Sequence, residues 1–310
     1  MVTGPVVTDP VAASPVVVGV DGSDAGLAAL DWAVDEAMRH GRPLRIVYAS
    51  LWERYEGVAS APSTDRPSEQ VLAEDIVGTA VERARRRAPG LALTADVLAE
   101  DASRALLREG QEALLLVVGS RGRGGPADLL LGSVGLMVAA RAPDPAVVVR
   151  GDRHALEARH QRVLLGVGDH DVDSPAVRFA FREAAVRNAE LDVVSTWRRP
   201  AHAPAGHPPL AGEPGAYLEH RASALLDKAL DPLAREYPRV RLRRSTVEGP
   251  AHRVLTERSA AADLLVVGAR RRDRLVGLEL GRVAHRALHH ASCPVTVVPQ
   301  HLPAPTEGDQ

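Results

Sequence analysis

The sequence repeats itself once along the chain, and this repeat limits the possible folds more than any other feature. The run PVVVGVDGS near the N-terminus aligns with RVLLGVGDH, so that Gly166 corresponds to Gly19 at an offset of 147 residues. Towards the ends of the two units LLLVVGSRG aligns with DLLVVGARR, and Gly268 corresponds to Gly119 at an offset of 149. An offset that changes so little indicates two tandem copies of one domain of about 150 residues.

The repeat predicts five segments in the 310-residue chain. They are a flexible N-terminal tail (1–14), domain 1 (15–150), a short polar linker (151–161), domain 2 (162–299) and a flexible C-terminal tail (300–310). We expect flexible tails because chain ends are poorly ordered unless other parts of the protein hold them. Domains of this size can bury a core without disulfides or metal ions.

Each copy alternates apolar runs with helix-like stretches. In the first copy the predicted strands are Val16–Val20, Leu44–Ala49, Leu91–Leu98, Leu114–Val118 and Ala146–Val149. Helices are predicted between them, the first from Asp24 to His40, with Ser23 or Asp24 as its N-cap and Gly41 as its stop signal. Continuous apolar runs are typical of strands buried on both faces. The pattern predicts an α/β fold of two tandem doubly wound, five-stranded parallel sheets of the Rossmann-like type.

The composition argues against nucleic acid as a partner. The 38 basic and 40 acidic residues leave a net charge of −2. Proteins that bind the nucleic-acid backbone without sequence preference need a strongly basic surface. Aromatic residues make up 3% of the chain, too few for a platform on which bases stack.

Other features of the sequence predict a cytoplasmic protein with no membrane span. The uncharged stretch Leu129–Ala140 is shorter than the roughly 18 apolar residues that a spanning helix needs. The N-terminus has no basic region followed by a long apolar core, so it does not resemble a secretory signal. The single cysteine, Cys293, excludes an intramolecular disulfide and a four-cysteine zinc site, and we expect its thiol to be inert.

A glycine-rich motif follows the predicted fourth strand, at the end of the sheet where open α/β folds bind ligands. In GSRGRGGPADLLLGS, Gly119 and Gly122 precede Gly132 and Ser133. Glycine lets a ligand approach the backbone, and Gly132 and Ser133 open a predicted helix whose amides and dipole favour a phosphate.

The end of the first predicted strand adds a carboxylate. Asp21 stands there and is followed by Gly22 and Ser23. A carboxylate at this place can meet the sugar or base of a nucleotide, or a metal ion on its phosphates. An alternative role for Asp21 is that of a helix N-cap.

The sequence resembles the universal stress protein family over about residues 15–150 and 162–299. The resemblance is carried by VVVGVDGS at the first strand, LLLVVGSRGRGG and LLGSVG around the fourth, and PAVVVR and CPVTVVPQ at the fifth. The spacing from Gly119 to Ser133 looks like the nucleotide-binding signature of the ATP-binding branch of that family. The resemblance implies an adenine nucleotide α-hydrolase-like fold with ATP, with or without Mg²⁺, as the ligand.

The resemblance also implies roles for individual residues of domain 1. Asp21 and Ala49 would contact the nucleoside, whereas the glycines of the motif and Ser133 would approach the ribose and hold the phosphates. The expected binding residues are Asp21, Gly22, Ser23, Ala49, Gly119, Ser120, Arg121, Gly122, Gly132, Ser133 and Val134.

Both copies depart from the family pattern. In domain 1, Glu100 and Asp101 stand where many members have a Gly-x-Pro-like turn, and two acidic side chains beside a triphosphate would repel it unless a metal ion intervenes. In domain 2, Arg271 and Arg282 replace a glycine and the serine of the motif, and Gly168 stands at the position of the strand-end aspartate. We therefore expect domain 2 to have lost the ordinary nucleotide pocket, which leaves one site per chain.

These features predict a regulatory protein that binds ATP or another adenine nucleotide and acts as a nucleotide-dependent switch in a stress response. The switch implies an unknown regulatory protein partner. We expect the apolar last strands to pair the two copies with each other or to form a homodimer. His285 and His289 lack the glutamate of an HExxH motif, so no metal site is predicted, and no acid–base pair points to an enzyme. Two alternatives stay open: a nucleotide-independent interaction module, and a slow ATPase or phosphotransferase.

Overall fold

A computed structural model gives the fold and describes residues 14–51, 68–122, 131–168, 174–199, 214–270 and 280–300. Arg271 and nearly all of both predicted tails lie outside these residues. Within the described ranges, no helix combines the length and the apolar character that crossing a bilayer requires.

Domain 1 alternates strands and helices in the predicted order. Its elements are β1 (Val16–Gly19), α1 (Asp24–His40), β2 (Leu44–Ala49), α2 (Ser68–Arg87), β3 (Leu93–Leu98), α3 (Ala102–Glu109), β4 (Leu115–Gly119), α4 (Ser133–Arg141) and β5 (Ala146–Val149). Each predicted strand is present, with ends that differ by no more than two residues. Val16, Val17 and Val18 are all fully buried, as expected of a strand covered on both faces.

Domain 2 repeats this order, as the sequence predicted. A short helix, α5 (Arg153–Leu156), precedes it. Its elements are β6 (Arg162–Val167), α6 (Pro175–Arg187), β7 (Glu190–Trp197), α7 (Pro214–Glu236), β8 (Arg241–Glu248), α8 (Ala251–Arg258), β9 (Leu264–Arg270), α9 (Arg282–His290) and β10 (Val295–Gln300). The C-terminal tail was predicted to begin one residue too early, since Gln300 ends β10 and is 7% exposed.

The strands form one ten-stranded sheet in the order β3-β2-β1-β4-β5-β10-β9-β6-β7-β8. Neighbouring strands within each domain are parallel, and in each half the order turns at the first strand, β1 or β6, as in a doubly wound sheet. The last strands of the two domains, β5 and β10, are antiparallel, with Val148 opposite Val295 and Ala146 opposite Val297. Of the two arrangements expected for these strands, the structure shows the pairing of the two copies within one chain.

Arg150 makes a second connection between the domains at the end of β5. Its guanidinium donates hydrogen bonds to the backbone carbonyls of Ala291 (2.8 Å) and Leu288 at the C-terminus of α9. A cation is favourable there because the helix dipole places partial negative charge at that end. Gly151 follows at φ 100°, and a Cβ atom on it would collide with the carbonyl of Ser292, so the chain needs glycine at this crossing.

Helix α1 connects the turn of the strand order in domain 1 to domain 2. Ser23 caps its N-terminus by accepting a hydrogen bond from the Gly26 amide at 3.0 Å, and Gly41 ends it in the left-handed conformation at φ 59°. Gly41 was predicted in this role, and of the two predicted N-cap residues, Ser23 and Asp24, the structure shows Ser23. The first turn of α1 lies beside the end of β1, and its last turn contacts α6 of domain 2.

Candidate functional site

A cavity of about 450 Å³ opens at the C-terminal ends of β1, β2 and β4 in domain 1. It lies where the strand order turns, the place at which open α/β sheets bind ligands. Eight of the eleven expected binding residues line it, namely Asp21, Ala49, Gly119, Arg121, Gly122, Gly132, Ser133 and Val134. Residues from three separate parts of the sequence thus meet in one concave site of a size usual for small-molecule pockets.

Gly22 and Ser23 do not line the cavity but hold Asp21, which does. Gly22 adopts φ 77° and turns the chain from β1 into α1. Ser23 donates hydrogen bonds to Oδ1 of Asp21 from its backbone amide at 3.0 Å and from its hydroxyl at 2.6 Å. Because Ser23 is the N-cap of α1, the alternative capping role for Asp21 is wrong. The carboxylate is instead fixed at the edge of the cavity.

The glycines of the motif are packed against α1 and Asp21. A Cβ atom at position 122 would lie 2.7 Å from Oδ2 of Asp21, and one at Gly119 would lie 2.7 Å from the carbonyl of Ala25. Gly26 is constrained in the same way, since its Cβ would stand 2.6 Å from Oδ1 of Asp21. Sequence reasoning missed Gly26, for which the available signal was a glycine in the first turn of a predicted helix. These close approaches restrict side chains at the three positions before any ligand binds, by contact with backbone at Gly119 and with the Asp21 carboxylate at Gly122 and Gly26.

The N-terminus of α4 supplies amide groups to the cavity. Gly132 is its N-cap and makes no side-chain capping bond, and Ser133, Val134 and Gly135 of the first turn all line the cavity. Ser120, which does not line it, accepts a hydrogen bond from the Gly132 amide at 2.8 Å and so ties the end of β4 to the start of α4. First-turn amides lack partners within their helix, and the dipole adds partial positive charge. By contrast, α1 and α3, which also reach the cavity, are capped by side chains.

The acidic pair that was expected to repel a triphosphate does not line the cavity. Asp101 caps α3 by accepting a hydrogen bond from the Arg104 amide at 3.0 Å, and Glu100 forms an ion pair with Arg108. The residues of this helix that reach the cavity are Ala102 and Leu106. The expectation that this pair repels a triphosphate is therefore wrong. The carboxylate of Asp101 caps a helix, and that of Glu100 is paired with Arg108.

Domain 2 differs from domain 1 at the position that corresponds to Gly119. A Cβ atom on Gly268 would collide with the side-chain amide of Gln300, which donates a hydrogen bond to the Ser174 hydroxyl at 2.6 Å. The residue that corresponds to Gln300 in domain 1 is Gly151, which has no side chain. Sequence reasoning missed Gln300 because it was assigned to the tail. Whether domain 2 has lost its pocket stays a prediction, since Arg271 lies outside the described residues.

The remaining candidate groups lie away from this cavity. On α9 the rings of His285 and His289 are 4.5 Å apart between centroids, and burial together with the charges of His285 and His290 lowers the pKa of His289. Cys293 is fully buried, and burial raises the pKa of its thiol, which disfavours the reactive thiolate. The burial of Cys293 agrees with the inert thiol predicted from the sequence.

Comparison with known proteins gives matches over both copies of the repeat. The model of the universal stress protein family matches residues 13–150 and 159–299. Universal stress protein Rv2005c of Mycobacterium tuberculosis is 32% identical over 294 residues, which cover 92% of this chain and 97% of that protein. A universal stress protein of Mycolicibacterium smegmatis is 30% identical over 291 residues, which cover 91% and 96%. A solved universal stress protein from Archaeoglobus fulgidus superposes with a TM-score of 0.65 at 15% identity, covering 93% of this chain and 99% of that one.

Because the Archaeoglobus protein is only 15% identical, its superposition supports the fold alone. The family match and the two mycobacterial relatives span nearly the whole chain. They confirm the resemblance seen in the strand ends and in the glycine motif, and they agree with the tandem sheet of the structure. The chain belongs to the universal stress protein family.

Proposed function

We propose that domain 1 binds ATP or another adenine nucleotide and that the protein is a regulatory switch in stress response whose state depends on this ligand. The observation that carries the proposal is the N-terminus of α4, which lines the same cavity as Asp21 and has no side-chain cap. Amide donors suit a phosphate, and a carboxylate suits the hydroxyl or amino groups of a nucleoside. The two halves of a nucleotide therefore have matching partners in one cavity.

The rest of the lining supports this orientation. The side formed by β2 and α3 is mainly apolar, with Val47, Ala49, Ala102 and Leu106 facing the cavity, and it suits the flat face of a base. Arg121 lies on the glycine-rich side, where its positive charge favours the phosphates. We infer from this division that the base lies towards β2 and the phosphates lie towards α4.

Magnesium fits the site as a companion of the phosphates. Among the described residues that line the cavity, Asp21 supplies the carboxylate and Ser133 adds a hydroxyl. Mg²⁺ usually binds one or two carboxylates and substrate phosphates while keeping several waters. These residues would hold the ion, which would neutralise phosphate charge.

Switching is favoured over turnover by the scarcity of titratable groups. In the described part of the lining the titratable residues are Asp21, Tyr48 and Arg121, and Ser23 holds Asp21 through two hydrogen bonds. A hydrolase would need a group placed to activate water. A cytoplasmic location and a regulatory protein partner complete the proposal.

Isothermal titration calorimetry with ATP and Mg²⁺ tests the proposal on wild type, Gly132→Val and Gly281→Val. Gly132 and Gly281 cap corresponding helices with extended backbone, at φ −78° and −57°, so valine is compatible with both. Gly132 lines the cavity at its proposed phosphate end, and the nearest atom to a Cβ there is 3.7 Å away, so we expect valine to fit and to compete with the phosphates for space. We expect one site in wild type, its loss in Gly132→Val and its retention in Gly281→Val. No heat of binding in folded wild type would contradict the proposal.

A further inference from the structure

Two helices from different domains meet through four buried charged side chains. Glu36 and His40 lie on α1, and Glu183 and Arg187 lie on α6, with side-chain exposures of 0%, 6%, 1% and 4%. The repeat makes the two pairs equivalent, because an offset of 147 converts Glu36 into Glu183 and His40 into Arg187. We call these four residues the charge quartet. It joins the two copies through matching positions, with histidine in one copy where the other has arginine.

The contacts in the charge quartet cross between the domains. Nε2 of His40 lies 3.2 Å from Oε1 of Glu183 and 3.6 Å from Oε2 of Glu36. Arg187 likewise contacts both carboxylates, at 2.6 Å from Oε1 of Glu36 and 3.4 Å from Oε2 of Glu183. Each cation therefore contacts one glutamate of its own helix and one of the other domain.

The charges around the quartet favour a positive His40. From α1, Arg39 also contacts Glu36, and just before β9 the carboxylate of Asp263, which accepts hydrogen bonds from the amides of His160 and Arg162, adds negative charge that favours the ionised form of Arg187. With a neutral imidazole, Glu183 would keep only Arg187 among the described residues as its ion-pair partner, and it would share that cation with Glu36. Buried charges that lack partners are strongly destabilising, so a proton on His40 stabilises the contact.

We propose that the proton on His40 is a structural part of the contact between the two domains and that its loss loosens the packing of α1 against α6. At neutral pH His40 is then a cation that contacts both glutamates, as Arg187 is at the equivalent position. Because this cation is a histidine, its position in the charge quartet is sensitive to pH. Deprotonation of His40 would leave Arg187 of α6 as the cation that Glu36 and Glu183 share. Protonation would restore the second shared cation, so the effect on the contact is reversible.

The electrostatics of the two helices agree with this assignment. Burial lowers the pKa of His40, but the carboxylates of Glu183 and Glu36 outweigh burial and raise it to about 9. A folded-state pKa above the ordinary value of 6.5 means that the stabilisation is complete below about pH 6.5. It declines as the pH rises above that value and is lost once the pH passes about 9.

A divalent cation is the competing occupant of the same space. Nε2 of His40 and one oxygen each of Glu36 and Glu183 lie within 4.8 Å of one another. The proton is favoured because Arg187 already binds the other oxygen of each carboxylate, and because the equivalent corner of the charge quartet is itself a cation. Zinc is therefore included in the test as a possible contradiction.

The test follows the titration of His40 and the stability of the full chain. Nuclear magnetic resonance of the imidazole signals gives the pKa of His40, with the signal assigned by its absence in His40→Gln. Thermal unfolding is measured in chelator from about pH 6 to about pH 10 for wild type, His40→Gln and His40→Arg. His220→Gln serves as the control because His220 is an exposed residue of α7.

We expect His40 to titrate near pH 9, and the unfolding temperature of wild type and His220→Gln to fall through that range. His40→Arg should lack this part of the pH dependence, and His40→Gln should be less stable than wild type at neutral pH and closer to it at high pH. Titration of His40 near its ordinary pKa would overturn the proposal, and this result does not depend on whether a variant folds. So would, in a parallel series without chelator, an unfolding temperature that rises on addition of zinc in wild type but not in His40→Gln.

Discussion

Gly122 and Asp21 occupy adjoining space, since a Cβ atom at position 122 would lie 2.7 Å from Oδ2 of the carboxylate. The first strand end and the glycine motif are therefore one structural unit, although they lie far apart in the sequence. The absence of a side chain at position 122 sets the place of a charged group at the edge of the cavity.

Gly122→Ala should weaken nucleotide binding more than it lowers stability. We expect the added methyl group to displace the Asp21 carboxylate, which lines the cavity, from the position in which Ser23 holds it. We expect a loss of affinity for ATP of about tenfold or more, which corresponds to about 1.4 kcal/mol. Calorimetric titration measures it, with Gly281→Ala as the control because nothing lies within 4 Å of a Cβ there. Equal affinity in the two variants would contradict the role of Asp21.

Ser23→Ala and Ser174→Ala should separate helix capping from ligand binding. Ser23 caps α1 and Ser174 caps α6, and each side chain accepts a first-turn amide bond. Loss of either cap should cost about 1 kcal/mol in the free energy of unfolding, measured with denaturant. Only Ser23→Ala should also weaken ATP binding, because only Ser23 holds Asp21. If both variants bind ATP as wild type does, the orientation of Asp21 by Ser23 is not important.

Gly268→Ala should destabilise domain 2 through its contact with Gln300. The new methyl group collides with the Gln300 amide, which is buried and bonded to Ser174. Overpacking of this kind typically costs about 1–3 kcal/mol. Adding Gln300→Ala should recover part of the loss, and a double-mutant cycle of unfolding free energies measures the coupling. Additive effects would show that the two side chains do not compete for one space.

Glu36→Gln should change how the free energy of unfolding decreases as the pH falls. Burial raises the pKa of Glu36, but Arg187, His40 and Arg39 outweigh burial and lower it to about 2. Because the folded pKa is below the ordinary 4.5, the stabilisation is present above about pH 4.5 and is lost as the pH falls through about 2.

Unfolding free energies between about pH 2 and about pH 6 measure the effect of Glu36→Gln. The variant should be less stable than wild type at the upper end of this range and should lose less stability on acidification. Glu82→Gln is the control, because Glu82 is 74% exposed and pairs with Arg86 at the surface. If the free energies of unfolding of wild type and Glu36→Gln decreased equally on acidification, this would contradict the lowered pKa of Glu36.

The strands could be predicted because their signals are local, whereas the pairing of the last strands was left open between the two copies and a homodimer. Runs such as Val16–Val20 and Ala146–Val149 are apolar without interruption, and buried parallel strands have this pattern. The caps Ser23 and Gly41 were predictable for the same reason, since each acts on its own helix. The cavity followed from the fold class, because the ends of the first and fourth strands meet at the turn of the strand order.

The rest depends on contacts that no local pattern contains. Gln300 was placed in the tail because strand ends are the least certain part of a sequence pattern. Its hydrogen bond joins it to Ser174, a residue 126 positions earlier in the sequence. The charge quartet had a signal in the repeat, the equivalence of Glu36 and Glu183, but its burial comes from the way α1 and α6 meet. Charged residues on a helix otherwise indicate a solvated face.

The nucleotide content of the purified protein tests the central claim most directly. The protein is purified without added nucleotide and denatured, and the released small molecules are identified by chromatography and mass spectrometry. The account predicts one adenine nucleotide per chain in wild type and in Gly281→Val, and none in Gly132→Val. A wild-type protein that carries no nucleotide and also fails to take up ATP with Mg²⁺ would contradict it and favour a nucleotide-independent interaction module.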